Sequence, residues 1–471
     1  MNESPSAVLL KREIAVREDV DVFVAGGGPA GMAAAVTAAR QGGRVFLAEA
    51  QNCLGGMGTA GMLPIFMAFG DGAHFYAGGF GREMHDRLEK EGATTARRPW
   101  GRWLPPIRVE GLKRLYDELA VECGLTLSLA TQVVAVEAEG GHVRHVICAG
   151  KSGLFAVKAR VFVDCTGDGD LAAWAGAAFE KGDRDGGMMP GTLCSLWTDV
   201  DWAAVEAAGQ NAEEVLIQAL RKDPSILPQV DPHLPGMIPV GKTLAAGNVG
   251  HSYGVDGTDE RSLTQAVLWG RKILKAYERF YRRNLRGYEQ LSLAATASLF
   301  GVRESRRILG DYVLVGEDFA RQASFPDEIG RYNYWVDIHC SRPGFADFDE
   351  HIKLRGSQPK PGESYGIPYR ILTPRGLDNL LVAGRSVSTD RHMQASIRVM
   401  PGCYITGQAA GLAAALAARA GTSTRGVPIA ELQAGLKALG AFLPNFQGSG
   451  ETRKAQESRP GRGEGKRDGQ A

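Results

Sequence analysis

Gly26, Gly28 and Gly31 follow the apolar run DVDVFVA and open the alanine-rich segment PAGMAAAVTAAR. In a strand, turn and helix setting each has its own task. Gly26 permits the sharp turn, Gly28 lets backbone approach a diphosphate, and Gly31, with Ala35, lets the helix lie close to the sheet. The first N–H groups of that helix, from Pro29 and Ala30 onward, then face the phosphates. Glu49, next to Ala50, ends the following apolar run, where a carboxylate accepts hydrogen bonds from both hydroxyls of an adenosine ribose and repels a 2′-phosphate. A second frame, Gly56, Gly58 and Gly61, has the same spacing but runs into Pro64, which forbids a helix through it. The chain has 62 glycines in 471 residues, and at that content chance supplies about one such frame. Context therefore selects the first, and these residues alone leave NAD and FAD both open.

Stepping outward, residues 19–50 read as a β-α-β unit and 53–81 as a glycine-rich stretch. The spacing of Leu112, Leu115, Leu119 and Cys123 predicts a helix over 109–123 with one buried face. Strands are expected near 126–139 and 142–149, and in ARVFVDCTGDGDL (159–171). From 190 to 364 the character changes, with two long helical patterns (199–222, 259–283) and an aromatic strand-like segment, YNYWVDIHC (332–340). NLLVAGR (379–385) returns to buried-strand character, and 403–421 is a small-residue helix introduced by Pro401 and Gly402. The expected domains are a discontinuous nucleotide-binding α/β domain (19–189 and 365–445) with a parallel sheet, and a mixed α/β insertion (190–364). Residues 446–471 are too poor in apolar side chains to offset the entropy of ordering, and are expected to be disordered.

Composition narrows the partners. A net charge of +1 provides no field to hold a polyanion, so neither nucleic acid nor an anionic membrane is expected. Seven cysteines without a close pair argue against a zinc knuckle and for a reducing compartment. The N-terminal run lacks the apolar core of a signal peptide, and no stretch of eighteen apolar residues occurs, which together read as a cytoplasmic protein.

The loop LGGMGTAGM (54–62), GVRESRRILGDYVL (301–314), YWVDIH (334–339) and the segment 364–417 resemble the FAD-dependent oxidoreductases related to fumarate reductase flavoproteins and, more distantly, to glutathione reductase. The resemblance covers about residues 19–421. It implies a three-layer FAD-binding Rossmann-like domain with an inserted substrate or cap domain over the isoalloxazine. It further implies that Gly26, Gly28 and Gly31 bind the pyrophosphate, Glu49 the ribose, and Gly55, Gly56, Met57 and Thr59 the ribityl side. Val133 would meet the adenine through its backbone, and Gly167 and Asp168 would close the phosphate site. The helix near Gly402 would aim its positive end at the flavin N1/O2 edge. One departure stands out: Gly384 is followed by Arg385, where many relatives carry an acid. No second nucleotide-binding unit is evident, so electrons come from the substrate itself or from a protein redox partner.

For reaction, Asp337 and His339 would share one strand face, letting the carboxylate orient the imidazole for proton transfer as hydride moves to or from flavin N5. Arg303, Arg306, Arg307 and Arg398 are candidate clamps for a carboxylate substrate or for reduced flavin, Arg398 foremost for its place before the flavin helix. His251, Tyr253 and His392 are further polar candidates; Cys53 and Cys403 are expected to pack. Two other readings compete. GHSYG (250–254) fits a serine-hydrolase motif with Ser252 as nucleophile, though both flanks are loop-like. A flavoprotein acting in recognition or RNA modification is the other, against which the neutral charge speaks.

Overall fold

The computed structural model describes residues 8–92, 94, 103–234, 236–346, 348–349 and 358–446. From residue 447 on, the tail expected to be disordered lies outside them. Strand β1 (Val16–Ala25) ends in Val22, Phe23, Val24 and Ala25, all fully buried. A strand covered on both faces needs such an unbroken apolar run. It turns at Gly26 into α1 (Pro29–Arg40), with Pro29 in the first turn, and returns as β2 (Val45–Ala48), parallel to β1. The main sheet continues with β3 (Thr126–Ser128), β4 (Gln132–Glu139), β5 (His142–Gly150) and β6 (Gly153–Asp164) in the order β3-β2-β1-β6-β5-β4. Strand β6 is shared. Residues 153–158 pair antiparallel with β5, while 162–164 pair in parallel with a late strand, Leu380–Val382. The predicted helix forms at Val109–Glu122, with Leu112, Leu115 and Leu119 fully buried.

The late helix, Met400–Ala420, is buried from Met400 to Ala418 and lies directly on α1. A methyl built on Gly407 would stand 2.2 Å from the Ala30 carbonyl oxygen, and one on Gly411 the same distance from that of Ala34. Only glycine permits backbones this close, well inside an ordinary interhelical spacing.

A second core forms around a four-stranded antiparallel sheet, Ser292–Thr296, Ser195–Thr198, Ala245–Gly247 and Met237–Pro239 in that order. The long helix Glu260–Asn284 covers it with Ile273, Leu274, Tyr277 and Phe280, and Asp259 caps its first turn. The helix expected over 199–222 is two helices, Trp202–Ala208 and Ala212–Lys222. Gly209, at φ 57°, ends the first, and the Asn211 side chain caps the second.

One expectation changes here. The strand read into 332–340 stops at Tyr332, because its partner, Tyr365–Pro368, begins at the residue opposite, Tyr365. Asp337 and His339 therefore share no strand face. Ile329, Tyr332 and Tyr334 pack in the main core, and Gly330 lies against Ile405 of the late helix. Among the described residues no helix is long and apolar enough to cross a membrane.

Candidate active site

A cavity of about 530 Å³ opens where the main sheet, the late helix and the second core meet, within the usual range for a cofactor or ligand site. Its cofactor side is built by the Gly26 turn. Gly26 holds φ 91°, and a methyl there would stand 2.6 Å from the Cys165 carbonyl oxygen. Gly28 caps α1 without any capping side chain, and a methyl on it would meet nothing within 4 Å, so its bare backbone faces open cavity. That is the cradle a diphosphate requires at a helix N-terminus. Gly31 serves packing instead: a methyl would collide with the Gly26 carbonyl oxygen.

Glu49 lines the same cavity at 7% exposure. Its Oε2 accepts the Gly27 N–H at 2.6 Å and its Oε1 the Gln51 N–H at 2.7 Å. Burial raises its pKa, and those backbone hydrogen bonds, with one from Ala50, oppose the rise. Pro29, Ala30, Ala50, Gly56 and Met57 are brought to the cavity wall, as are Val133, Gly167, Gly384 and Arg385. The second glycine loop forms a single 3-10 turn, Gly56–Gly58, set against Gly28, whose Cα would lie 3.1 Å from a methyl on Gly56.

Besides Gly31, four expected cofactor residues lie behind this wall. Gly55, at φ 100°, is held against Tyr116, and Thr59 is fully buried with its hydroxyl donating to the Leu54 carbonyl at 2.5 Å. Asp168 accepts from Arg385 Nη2 at 2.9 Å. The acid missing after Gly384 is thus replaced by an ion pair between remote segments. Gly402 sits in the first turn of the late helix, where a methyl would meet the Ile397 carbonyl oxygen. The start of that helix, Met400 and Cys403, does line the cavity and has no capping side chain. Burial pushes the Cys403 thiol up to about 12, so it packs as an inert group.

Among candidate reacting residues, Arg398, Arg303, Asp337 and His339 meet at the cavity. Arg398 Nη2 donates to the Asp337 carbonyl at 3.1 Å and to its Oδ2 at 3.3 Å, and Arg398 Nε is buried with no hydrogen-bond partner among the described residues. Arg303 donates to the Pro190 carbonyl at 2.7 Å and to Thr192 Oγ1 at 2.9 Å. Burial, reinforced by the neighbouring Arg398 charge, brings its pKa down to about 10. His339 Nε2 is 3.6 Å from Asp337 Oδ2. Burial, then the Arg303 charge, holds its pKa well below the usual histidine range, so the ring is neutral.

The remaining candidates stand elsewhere. Arg307 lies outside the cavity wall, with Nη1 on Glu304 Oε1 at 2.8 Å and Nη2 near Glu180. Arg306 pairs with Asp170 at 2.6 Å, Tyr253 faces Asp231, and His392 is exposed on the helix Arg391–Ile397. Ser252 sits in an isolated bridge with Gly191, its hydroxyl 3.4 Å from the Ala266 carbonyl, and no strand-to-helix elbow surrounds it. Sequence reasoning missed His233, Asp231 and Trp335. His233 and Asp231 occupy a proline-rich loop, QVDPHLP, without periodicity to mark them.

A family model described as FAD dependent oxidoreductase matches residues 21–436. No curated protein matches the chain. Among solved structures, a geranylgeranyl bacteriochlorophyll reductase-like protein from Thermoplasma acidophilum is similar at 14% identity, covering 90% of this chain and 83% of that one, with a TM-score of 0.44. The p-nitrophenol 4-monooxygenase of Pseudomonas putida is similar at 12% identity, over 87% and 82% of the two chains, with a TM-score of 0.43.

Proposed function

The chain belongs to the family of FAD-dependent oxidoreductases, with FAD as its cofactor, and on that premise we propose that its substrate is a small organic anion, most simply a carboxylate, held by Arg303 and Arg398. FAD, when bound, supplies the acceptor or donor of an electron pair. On this reading the Gly26 turn, the first turn of α1, Glu49 and Gly56 hold the cofactor, and the start of the late helix, with Gly384 and Arg385, holds its far part. The closer kinship with fumarate reductase flavoproteins belongs to the same reading, as does a protein redox partner.

The observation that carries it is the pair of guanidiniums in one cavity. Two like charges brought together in a buried place are costly unless an anion joins them. Asp337 neutralises part of that charge, and both guanidinium-bearing residues line the cavity where a further anion would sit. A guanidinium fork matches the two oxygens of a carboxylate. His339, neutral and weakly basic, orients or accepts on this reading and does not store a proton.

The test is anaerobic mixing of the purified flavoprotein, oxidised or reduced, with small carboxylic acids and their amides. The acids should change the flavin spectrum and the amides should not. Arg398→Gln should keep its FAD yet react at least about 100-fold more slowly, the loss of about 2.7 kcal/mol of charge-assisted binding. Equal reaction of acid and amide, or an unaltered rate in Arg398→Gln, would refute the proposal.

A further inference from the structure

His233, His251 and His339 come from three remote stretches of chain and meet beside the active-site cavity. They are 8%, 4% and 5% exposed, and each offers a ring nitrogen within 4.8 Å of those of the other two. His233 and His251 stack nearly parallel with centroids 5.3 Å apart, and His339 meets both edge-on at 5.1 and 5.3 Å. Each ring also has a nitrogen set against a carboxylate. His251 Nδ1 is 3.1 Å from Asp231 Oδ1, His233 Nδ1 is 3.1 Å from Glu213 Oε1, and His339 Nε2 is 3.6 Å from Asp337 Oδ2. A neutral imidazole that donates from one nitrogen to a carboxylate, as His233 and His251 are placed to do, carries its lone pair on the other, the arrangement found behind metal-bound histidines.

The support around His251 is rigid. Asp231, 1% exposed, also accepts the His251 N–H at 3.0 Å and the hydroxyls of Tyr253 and Tyr277 at 3.3 Å each. The His251 carbonyl accepts from Gln229 Nε2 at 2.7 Å and Trp269 Nε1 at 3.2 Å. All three histidines line a second cavity of about 20 Å³, room for one ion or one water. Arg342 also lines it, which makes an anion the competing occupant.

We propose that His233, His251 and His339 bind one divalent first-row transition-metal ion of the zinc type, with Asp231, Glu213 and Asp337 as positioning residues behind them. Zinc–nitrogen bonds of about 2.0–2.1 Å place tetrahedral ligand atoms about 3.3 Å apart, so from a separation of at most 4.8 Å the ligand atoms close by no more than about 1.5 Å on binding. Because His233 and His339 also line the main cavity, the ion stands in its wall, where a substrate oxygen can complete its coordination and be polarised. The inference needs only the histidine cluster and stands apart from the choice of substrate.

The experiment uses untagged, FAD-loaded protein treated with a chelator, titrated calorimetrically with Zn²⁺, with bound metal counted by elemental mass spectrometry. One Zn²⁺ per chain is expected, with a dissociation constant in the micromolar range or below. His251→Ala and His339→Ala should each weaken binding at least about 100-fold, and Asp231→Asn, which keeps all three ligands, by about 10- to 100-fold. The Co²⁺ form of Asp231→Asn should also show a shifted ligand-field band once the flavin spectrum is subtracted. Flavin content reports the fold of each variant, and His233→Asn replaces any that fails to fold. No saturable metal uptake by the wild type, uptake indifferent to all these changes, or uptake of acetate or phosphate in place of Zn²⁺ would overturn the proposal.

Discussion

Replacing Gly407 by alanine sets two physical arguments against each other. In a helix interior the change should stabilise by about 1 kcal/mol, since glycine loses the most backbone freedom on folding. In this protein the added methyl would lie 2.2 Å from the Ala30 carbonyl oxygen and 2.8 Å from its Cα. Both are backbone atoms, and neither can swing aside as a side-chain tip would. To reach an ordinary 3.4 Å contact the late helix and α1 must part by about 1 Å, and overpacking of this kind costs about 1–3 kcal/mol. Set against the gain of about 1 kcal/mol, that leaves a net loss of up to about 2 kcal/mol in urea denaturation of the flavin-free protein. Ala30 lines the cofactor cavity, so the displacement lands on the cradle, and FAD affinity should fall by about tenfold or more, which is about 1.4 kcal/mol. Fluorescence titration of FAD measures it. Gly435→Ala is the control: its methyl would meet only the Leu412 side-chain tip, at 2.9 Å, which can yield. That variant should be as stable as the wild type or more so. A Gly407→Ala protein with unchanged or raised stability and undiminished FAD affinity would refute the backbone-contact argument.

Glu49→Ala removes the acceptor of the Gly27 and Gln51 N–H groups and, on the proposed reading, the ribose ligand; FAD should dissociate at least about tenfold more readily by equilibrium dialysis, and unchanged retention would dismiss its role. Asp71 should govern acid stability. Burial opposes its ionisation, but hydrogen bonds from the Gly362 and His74 N–H groups, the Tyr76 hydroxyl and the Ala73 N–H outweigh burial and bring its pKa to about 2. A depressed carboxyl stabilises the fold above the unfolded pKa near 4 by about 2 kcal/mol, and that advantage fades as pH falls from about 4 toward 2. Asp71→Asn should therefore be less stable than wild type at pH 6 by about that amount, with the gap narrowing below pH 4; a gap independent of pH would contradict the assignment.

The local part of this architecture was legible. A turn that demands positive φ, a helix that needs small residues and strands buried on both faces leave marks in neighbouring residues, so the unit from Val16 to Ala48 and the helix over Val109–Glu122 follow from spacing. Pairings between distant segments leave no such mark. Among the arginines of 303–307, spacing cannot tell which reaches the cavity: Arg306 and Arg307 enter a short strand paired antiparallel with the remote Phe179–Lys181 and are held in ion pairs with Asp170 and Glu304, while Arg303, in the bend before it, turns to the cavity. The Arg385–Asp168 pair looked like a missing acid because the acid comes from the turn after β6, far back in the chain. His233 is invisible for the same reason, its significance lying wholly in two histidines remote from it. The shared strand face expected for Asp337 and His339 failed although the two groups do approach, because a ladder ends where its partner ends, whatever the pattern beyond.

The double allegiance of β6 carries a lesson about biosynthesis. Its amino-terminal half finds its neighbours within the first 165 residues, but beyond β1 on one edge its last rungs have their other edge paired only by Leu380–Val382, and α1 takes most of its helix packing from the helix beginning at Met400. A nascent polypeptide emerging from the ribosome thus completes its nucleotide cradle early yet cannot close it until nearly the whole message has been read. Any transcript stopped short of that point would yield a half-sheet with a raw edge and no means of keeping its cofactor.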